Sequence, residues 1–431
     1  MTWKVLLADD SIARGWAPLS STRPVGEILF GSMLLRERVE RAFGFPVTGY
    51  LPAPGLQGFS APDAPPIIEL DGASSEQGLV ILSSRYVAPL PQSTPNPLAL
   101  LSPRALERPT PLYGSDGHLG WALPAGASLS PETPAGGGWI DPGPPMASLE
   151  TGIRLPGSLL GTPWELLERN AEQLARDLSS PNVEGYGKPR RAFRAPTGVE
   201  QIGDHPITAG EGVTVDPGAV LDSRRGPIHL AAGVQIRPFT HLMGPALVGR
   251  ESTLLGGLFE SFSCGPVCNL RGEVSKCVLL GYSNKAHDGY LGHSLVGQWV
   301  NLGAMTTNSD LKNNYGSIRV TSPEGEIDTG LLKLGVLLGD HVKTGIGTLL
   351  NAGTIVGVGS NLFGALPPPK FVPPFSWGSG AEFVPYQLEA FLKTADRVAR
   401  RRGIEMSDEE RDFLRLVWKN AHGAQPAERG P

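Results

Sequence analysis

The sequence predicts a mainly β protein: an α/β N-terminal domain, then a left-handed parallel β-helix built of hexapeptide repeats, then a helical tail. Three observations predict it. Apolar or small residues recur at every sixth position, at Leu230, Ile236, Leu242, Val248 and Leu254, again at Val296 and Leu302, and again at Leu338, Thr344, Leu350, Val356 and Leu362. Glycine sits beside many of these positions, as in Val248-Gly249, Val296-Gly297, Leu338-Gly339 and Val356-Gly357. Gly (56) and Pro (41) together approach a quarter of the 431 residues, which suits a turn-rich solenoid and not a helical protein. A period of six is neither helical nor a plain strand alternation. It reads as a short strand and a turn with one inward side chain per repeat. Three such units close a triangular coil, and stacked coils share a continuous core.

The length implies more than one core, and three parts are expected: 1–200, 201–378 and 379–431. The first opens with a strand around Val5-Leu6-Leu7 and a helix over about 31–43, the start of an α/β layer. Residues 51–161 are dense in Pro and Gly, with apolar pieces such as Leu79-Val80-Ile81-Leu82. Thr162-Pro-Trp-Glu165 has the form of a capping box and predicts a helix to about Leu178. The repeat starts near Gly212. It breaks briefly at Asp222–Pro227 and then at length over about 306–334, and loops that leave a solenoid are where function concentrates. Past Trp377 an amphipathic helix is expected over 384–402, stopping at Gly403. A second starts at the capping box Ser407-Asp-Glu-Glu410 and runs to about Asn420, before a frayed end from Gly423 to Pro431.

Composition excludes several classes. Net charge is -5, so no basic stripe points to nucleic acid. No apolar run approaches the ~20 residues of a membrane span, and a cytoplasmic protein is expected. The cysteines, Cys264, Cys268 and Cys277, are odd in number and lack nearby His partners. They read as small buried hydrophobes rather than disulfides or a zinc site.

The densest polar stretch is Gly281-Tyr-Ser-Asn-Lys-Ala-His-Asp-Gly-Tyr-Leu-Gly-His-Ser294, inside the solenoid and beside the long excursion. His287 is its natural general base. Lys285, Lys312 and Arg319 are candidate phosphate ligands, and Tyr290 falls on the sixfold register with Val296 and Leu302.

The run 281–320, with Asn301-Leu-Gly-Ala-Met-Thr-Thr-Asn-Ser-Asp-Leu-Lys-Asn-Asn-Tyr-Gly316, resembles bacterial alternative bifunctional UDP-N-acetylglucosamine diphosphorylase/glucosamine-1-phosphate N-acetyltransferases. So do Asn361-Leu-Phe-Gly364, Phe371-Val-Pro-Pro-Phe-Ser-Trp-Gly378 and the opening Thr22-Arg-Pro-Val-Gly-Glu27. The resemblance implies transfer of an acetyl group from acetyl-CoA to an amino-sugar phosphate. It implies His287 as base and Tyr290 and Asn301 as sugar contacts. Ala304 is the expected acetyl-CoA contact, Asn314-Tyr315 match the family's Asn-Tyr pair, and Lys276 its phosphate lysine. It also implies a homotrimer with sites between solenoids.

The first half departs from that family. Leu7-Ala-Asp-Asp-Ser-Ile-Ala-Arg-Gly15 lacks the Gly-x-Gly turn that brings backbone N–H groups to nucleotide phosphates, and Val25 stands where the family has Lys. Arg14 and Arg23 are left as nucleotide-binding candidates. Asp9 and Asp10 read as Mg²⁺ ligands, needed only if this domain is active, or as solvated turn acids. Three rival readings stay open: a bifunctional enzyme that also makes the UDP-sugar, a non-catalytic sugar-nucleotide scaffold, and a γ-type carbonic anhydrase with His287, His293 and His341 around Zn²⁺.

Overall fold

The computed structural model describes residues 3–51, 53–68, 77–90, 106–126, 152–179, 191–323, 325–364 and 366–423. The chain forms two compact units: Met1–Trp16, Ser20–Ile28 and Met33–Pro163 make one, and Ala17–Leu19, Leu29–Ser32 and Trp164–Pro431 the other.

The first unit is α/β. Its six-stranded sheet has Trp3–Ala8 between the parallel strands Val47–Leu51 and Gly78–Ser83, followed by His118–Leu123, Thr110–Tyr113 and Ile153–Arg154. Val5, Leu7, Val80 and Leu82 face a core shared with Val39 and Phe43 of the helix Leu35–Phe43. That helix starts later than the sequence implies and ends where Gly44 takes a left-handed turn, φ 72°.

The second unit is a parallel β-solenoid, mostly β, with helices at its end. One face carries the inward column Leu230, Val248, Cys264, Leu279, Val296, Leu338, Val356 and Val372, each residue paired in parallel register with the next. A second carries Ile236, Leu254, Leu270 and Lys285, and on the coils that follow Leu302, Thr344 and Leu362. The third carries Leu221, Leu242, Phe259, Val274 and Leu291, then Asn308 and Leu350. The sixfold register of the sequence is thus the register of the core. The glycine that follows an inward residue has a steric cause: a Cβ on Gly249 would lie 2.3 Å from the Gly265 carbonyl oxygen of the next coil. The three cysteines are fully buried among the core residues.

The turns between faces place one residue in the left-handed region, spaced by six within a coil: Phe239 and Gly233, then His293, Trp299 and Met305, then His341, Gly347, Gly353 and Gly359. Side chains at such turns pile up. Tyr282 and Trp299 stack at 4.4 Å, and His341 lies nearly parallel to Trp299 at 6.2 Å. The helix Leu388–Arg400 docks on this column through Phe391, which meets His341 and Phe375 edge-on. Gly359 leaves the room, because a Cβ there would lie 2.4 Å from the Phe375 ring. The last helix, Asp408–His422, begins with the expected box. The Ser407 hydroxyl accepts from Glu410 N, and Glu410 accepts from Ser407 N. Residues 424–431 of the expected frayed end lie outside the described residues.

One expectation is corrected. The box at Thr162 does not form: the helix begins at Glu165 on an N-cap, Trp164, that makes no side-chain bond, and the Glu165 carboxylate turns forward to Arg169 at 3.3 Å. The helices Glu165–Glu168 and Asn170–Ser179 belong to the second unit.

Phe259 is wholly buried against Phe262, while Phe239 is 85% exposed at a left-handed turn. Phe259→Ala is therefore expected to cost about 3–5 kcal/mol in urea unfolding. Phe239→Gly relieves a turn that disfavours side chains by about 1–2 kcal/mol and should cost nothing measurable. The Lys343 ammonium donates to the Trp299 and His341 carbonyls at 2.7 and 3.1 Å, and burial pushes its pKa down to about 7. Between pH 7 and the unfolded value of 10.5 the unfolded chain then holds a proton that the folded chain has lost, so stability rises with pH across that window. Lys343→Met should flatten the rise in unfolding curves taken at stepped pH.

Candidate functional site

The solenoid interior is apolar over most of its length and turns polar over the coils from 284 to 344 that flank the excursion. There Lys285, Asn308 and Thr344 occupy inward positions that neighbouring coils fill with Leu270, Leu291 and Leu302. Each is satisfied, as burial demands. The Lys285 ammonium donates to the Arg271 and His287 carbonyls at 2.9 and 2.8 Å. Asn308 both accepts from Gly292 N at 2.9 Å and donates to Gly292 O at 3.1 Å. The Thr344 hydroxyl meets that of Thr306 at 2.8 Å. Burial pushes the Lys285 pKa down to about 8.

On the outer side of the same coil, one carboxylate gathers two side chains. Oδ2 of Asp310 lies 2.6 Å from the Tyr290 hydroxyl and 2.6 Å from Nδ1 of His293. Burial works against ionisation of Asp310, but the bonds from His293 and Tyr290 outweigh it and hold the carboxyl below its usual range. The Tyr290 hydroxyl is pushed the other way, by burial and then by Asp310. Gly292 makes the geometry possible: a Cβ there would stand 2.1 Å from the Tyr290 oxygen. Asp310 comes from the root of the excursion. The excursion's neck is closed by Leu334 N donating to Asp310 O at 2.9 Å and by Gly335 N donating to His293 O at 2.8 Å, and its far part is the hairpin Arg319–Ser322 with Gly325–Asp328.

The residues expected from sequence divide. His287 is exposed on the turn between Asn284–Lys285 and Tyr290–Gly292, on the same coil as Tyr290. Asn301 pairs in register with Asn284 and accepts from its side-chain amide at 3.0 Å, so half of its amide serves a ladder along the solenoid. Ala304 lies at the turn beside Met305, Ile346 and Leu349, which are 56%, 81% and 53% exposed. Lys276 is exposed at the turn preceding Cys277. In the excursion, the Lys312 ammonium bonds the Ser317 carbonyl, Asn314 accepts from Gly316 N, and Tyr315 is 72% exposed. Arg319 pairs within its hairpin to Glu326 at 2.9 Å and to Asp328 at 3.7 Å. Lys285, by contrast, is turned into the core.

Asp310 was not singled out as a site residue, and His293 only as a metal ligand. The readable signal was spacing: a Tyr, a side-chain-free position and a His, followed by an Asp where the period breaks. Among the described residues no three metal-ligating side chains gather, so His287, His293 and His341 do not form the trio that a zinc hydratase needs.

In the first unit the acids are structural. Asp10 caps the short helix Ser11–Arg14, binds Ser83 at 2.7 Å and forms a buried pair with Arg85 at 2.6 Å. Both oxygens of Asp9 accept from Val25 N, and burial pushes its pKa up to about 6. Neither is a solvated turn acid, since both are buried. Arg14 is exposed and Arg23 buried. Glu27 of the opening motif is buried against Arg36 and Tyr50, each at 2.6 Å.

No helix among the described residues is long and apolar enough to cross a membrane. No protein-family profile matches the chain. Curated relatives do. The bifunctional protein GlmU of Methanocaldococcus jannaschii is 26% identical over 226 residues, covering 49% of this chain and 44% of the relative. That of Synechococcus elongatus is 32% identical over 148 residues, 34% of this chain and 25% of the relative. A bifunctional sugar-1-phosphate nucleotidylyltransferase/acetyltransferase of Sulfurisphaera tokodaii is 24% identical over 204 residues, 47% of this chain and 44% of the relative. A solved Arabidopsis UDP-N-acetylglucosamine acyltransferase aligns with 54% of this chain and 98% of its own, at 13% identity and a TM-score of 0.31. The chain thus spans less than half the length of these curated relatives, and over that span it is similar to bifunctional sugar-1-phosphate nucleotidylyltransferase/acetyltransferases.

Proposed function

We propose that the solenoid transfers an acetyl group from acetyl-CoA to the amine of an amino-sugar phosphate, with glucosamine-1-phosphate as the expected acceptor. The observation that supports this best is the polar coil itself. It carries an exposed His287 and an anchored Tyr290 on one rigid frame, in a chain similar to named acetyltransferases.

In this reading His287 accepts the proton that the amine loses as its nitrogen attacks the thioester carbonyl. The carbon–sulfur bond then breaks and the sulfur leaves as a thiol. Tyr290 and the free half of the Asn301 amide orient the sugar. Lys276 is the cation left to face its phosphate, since Lys285, Lys312 and Arg319 are bonded within the protein. Acetyl-CoA supplies the thioester. The exposed apolar side chains of Met305, Ile346 and Leu349, near half-buried Ala304, would suit its pantetheine arm. The assembly is proposed to be a cytoplasmic homotrimer with the excursion at the subunit boundary, as the resemblance implies.

The test is thiol release from acetyl-CoA with a panel of amino-sugar phosphates. His287→Ala should lower kcat by about 10²–10⁴ and leave KM little changed, because the imidazole acts mainly in the transition state. Equal turnover in variant and wild type, with matched circular dichroism, would remove His287 from the mechanism, and no thiol release by either would favour a non-catalytic sugar-nucleotide scaffold. For the first unit we propose no nucleotidyl transfer, since residues 7–15 lack the Gly-x-Gly turn and Val25 stands where the family has Lys. The full chain given UTP, Mg²⁺ and a sugar-1-phosphate should release no pyrophosphate above background, and release at ordinary enzyme rates would restore the bifunctional reading.

A further inference from the structure

The first coil of the solenoid is backed on two faces and open on the third. On one face the strand Arg191–Ala192 runs antiparallel beneath Thr208–Ala209, and on another Glu200–Ile202 lies beneath Val220–Asp222 in parallel register. On the third face Thr214–Val215 pairs with Gln235–Ile236 of the next coil and is itself the edge. The chain passes below that edge, since Phe193 N donates to Ile207 O and Gly218 N to Gly198 O, but it makes no strand there. Pro196 has no N–H to offer a ladder, and its carbonyl is taken by Val199 N at 3.1 Å. A cavity of about 580 Å³ remains, bordered by Arg191, Phe193, Arg194, Glu211, Val213 and Val215. That volume suits an organic ligand rather than a bare ion.

The cavity has an apolar floor and a cationic rim. Phe193 and Val213 are half-buried and pack on the solenoid core. Arg191 and Arg194 are exposed, and among the described residues neither is ion-paired. The arginines of the next coils are paired instead: Arg224 with Asp222, Arg225 with Glu260 and Arg237 with Asp216. Glu211 is the acid on the border, and it is already engaged. The edge strand adds a third donor. Alternate residues of a parallel strand bond to opposite neighbours. Thr214 N and Asp216 N both donate to the coil above, to Val234 O and Ile236 O at 2.9 Å, which turns the N–H of Val215 towards the cavity.

We propose that this cavity binds an organic diphosphate, with the phosphate oxygens on Arg191, Arg194 and the Val215 N–H and the organic part over Phe193 and Val213. Two bidentate guanidinium groups and one N–H call for five acceptor oxygens. A diphosphate monoester carries five outside its bridges, and a carboxylate only two. The site is separate from the proposed acetyl-transfer site. Thr214, Gln235, Thr253, Asn269 and Asn284 follow one another in register along one face, so the polar coil lies four strand spacings away, roughly 19 Å at ~4.8 Å each.

The test is calorimetry on the full chain with UDP as the probe and uridine as its phosphate-free control. UDP should bind and uridine should not. Arg191→Ala and Arg194→Ala should each weaken UDP on the order of tenfold to a hundredfold, the loss of hydrogen bonds between charged groups. Both side chains are exposed, so matched circular dichroism is expected. Hydrogen exchange should show UDP protecting residues 208–216 and leaving 284–310 unchanged. No UDP binding by the wild type, uridine binding as tightly as UDP, full UDP affinity in the double variant, or protection confined to other segments would each overturn the proposal. Thiol release from acetyl-CoA should be equal in the double variant and the wild type, and its loss in the double variant would overturn the separateness of the site. If the wild type releases no thiol, the acetyl-transfer reading falls, and the UDP measurements still decide this one.

Discussion

Each strand of a solenoid coil aims one side chain into an interior that the coils above and below also fill. Because the strands pair in parallel register, that side chain sits directly on its neighbours' equivalents. Leu279 rests between Cys264 and Val296, and Val274 between Phe259 and Leu291. A single misplaced residue would shift every column, so the period of six must hold wherever coils stack. It also dictates what is spared. Outward positions, turns and the roots of excursions carry no packing duty and are open to chemistry. The aromatic column Tyr282, Trp299 and His341 shows the same stacking on the outside, where it supplies the surface on which the C-terminal helix settles.

Because the rule is strict, the exceptions are informative. Over three coils the interior holds a lysine, an asparagine and a threonine, Lys285, Asn308 and Thr344, in place of leucines. Burying these costs more than burying hydrocarbon, and the cost is offset only because every one finds a partner. Local departure from the packing rule, fully compensated, is the pattern expected beside a functional site. The compensation does something further: the bonds from Asn308 fix both backbone groups of Gly292, the residue over which the Tyr290 ring lies.

The solenoid was legible in the sequence because its signal is translational: the same spacing repeats in Leu338, Leu350, Val356 and Leu362. The cap at Ser407 was legible because its two bonds join residues three apart. The cap at Thr162 had the same letters, yet the helix starts past it, since Glu165 finds Arg169 one turn on. What stayed hidden depended on three-dimensional return. Asp310 reaches Tyr290 across 20 residues only because one coil brings the excursion's root above the strand that precedes it. Lys285 looked like a surface cation in a polar stretch, and only its register with Leu270 shows that it points inward. Asp9 and Asp10 looked like turn acids, but Asp10 meets Ser83 and Arg85 across 73 and 75 residues and Asp9 meets Val25 across 16.

The buried lysine has a consequence for the proposed base. An ammonium in the core must recover its hydration from fixed carbonyls, and those it finds belong to Arg271 and His287. Its room comes from Gly272, where a Cβ would approach the ammonium to 3.1 Å. The bond to His287 O ties down the backbone of an exposed turn that has no side-chain packing of its own. His287 therefore projects from a turn anchored from inside, while its imidazole stays in solvent. Tyr290 is anchored from outside, by Asp310, three residues further along the same coil. An exposed proton acceptor and a polarised hydroxyl are in this way held by two separate devices, one internal and one external, the internal one taking a single place in an inward column otherwise rich in leucine.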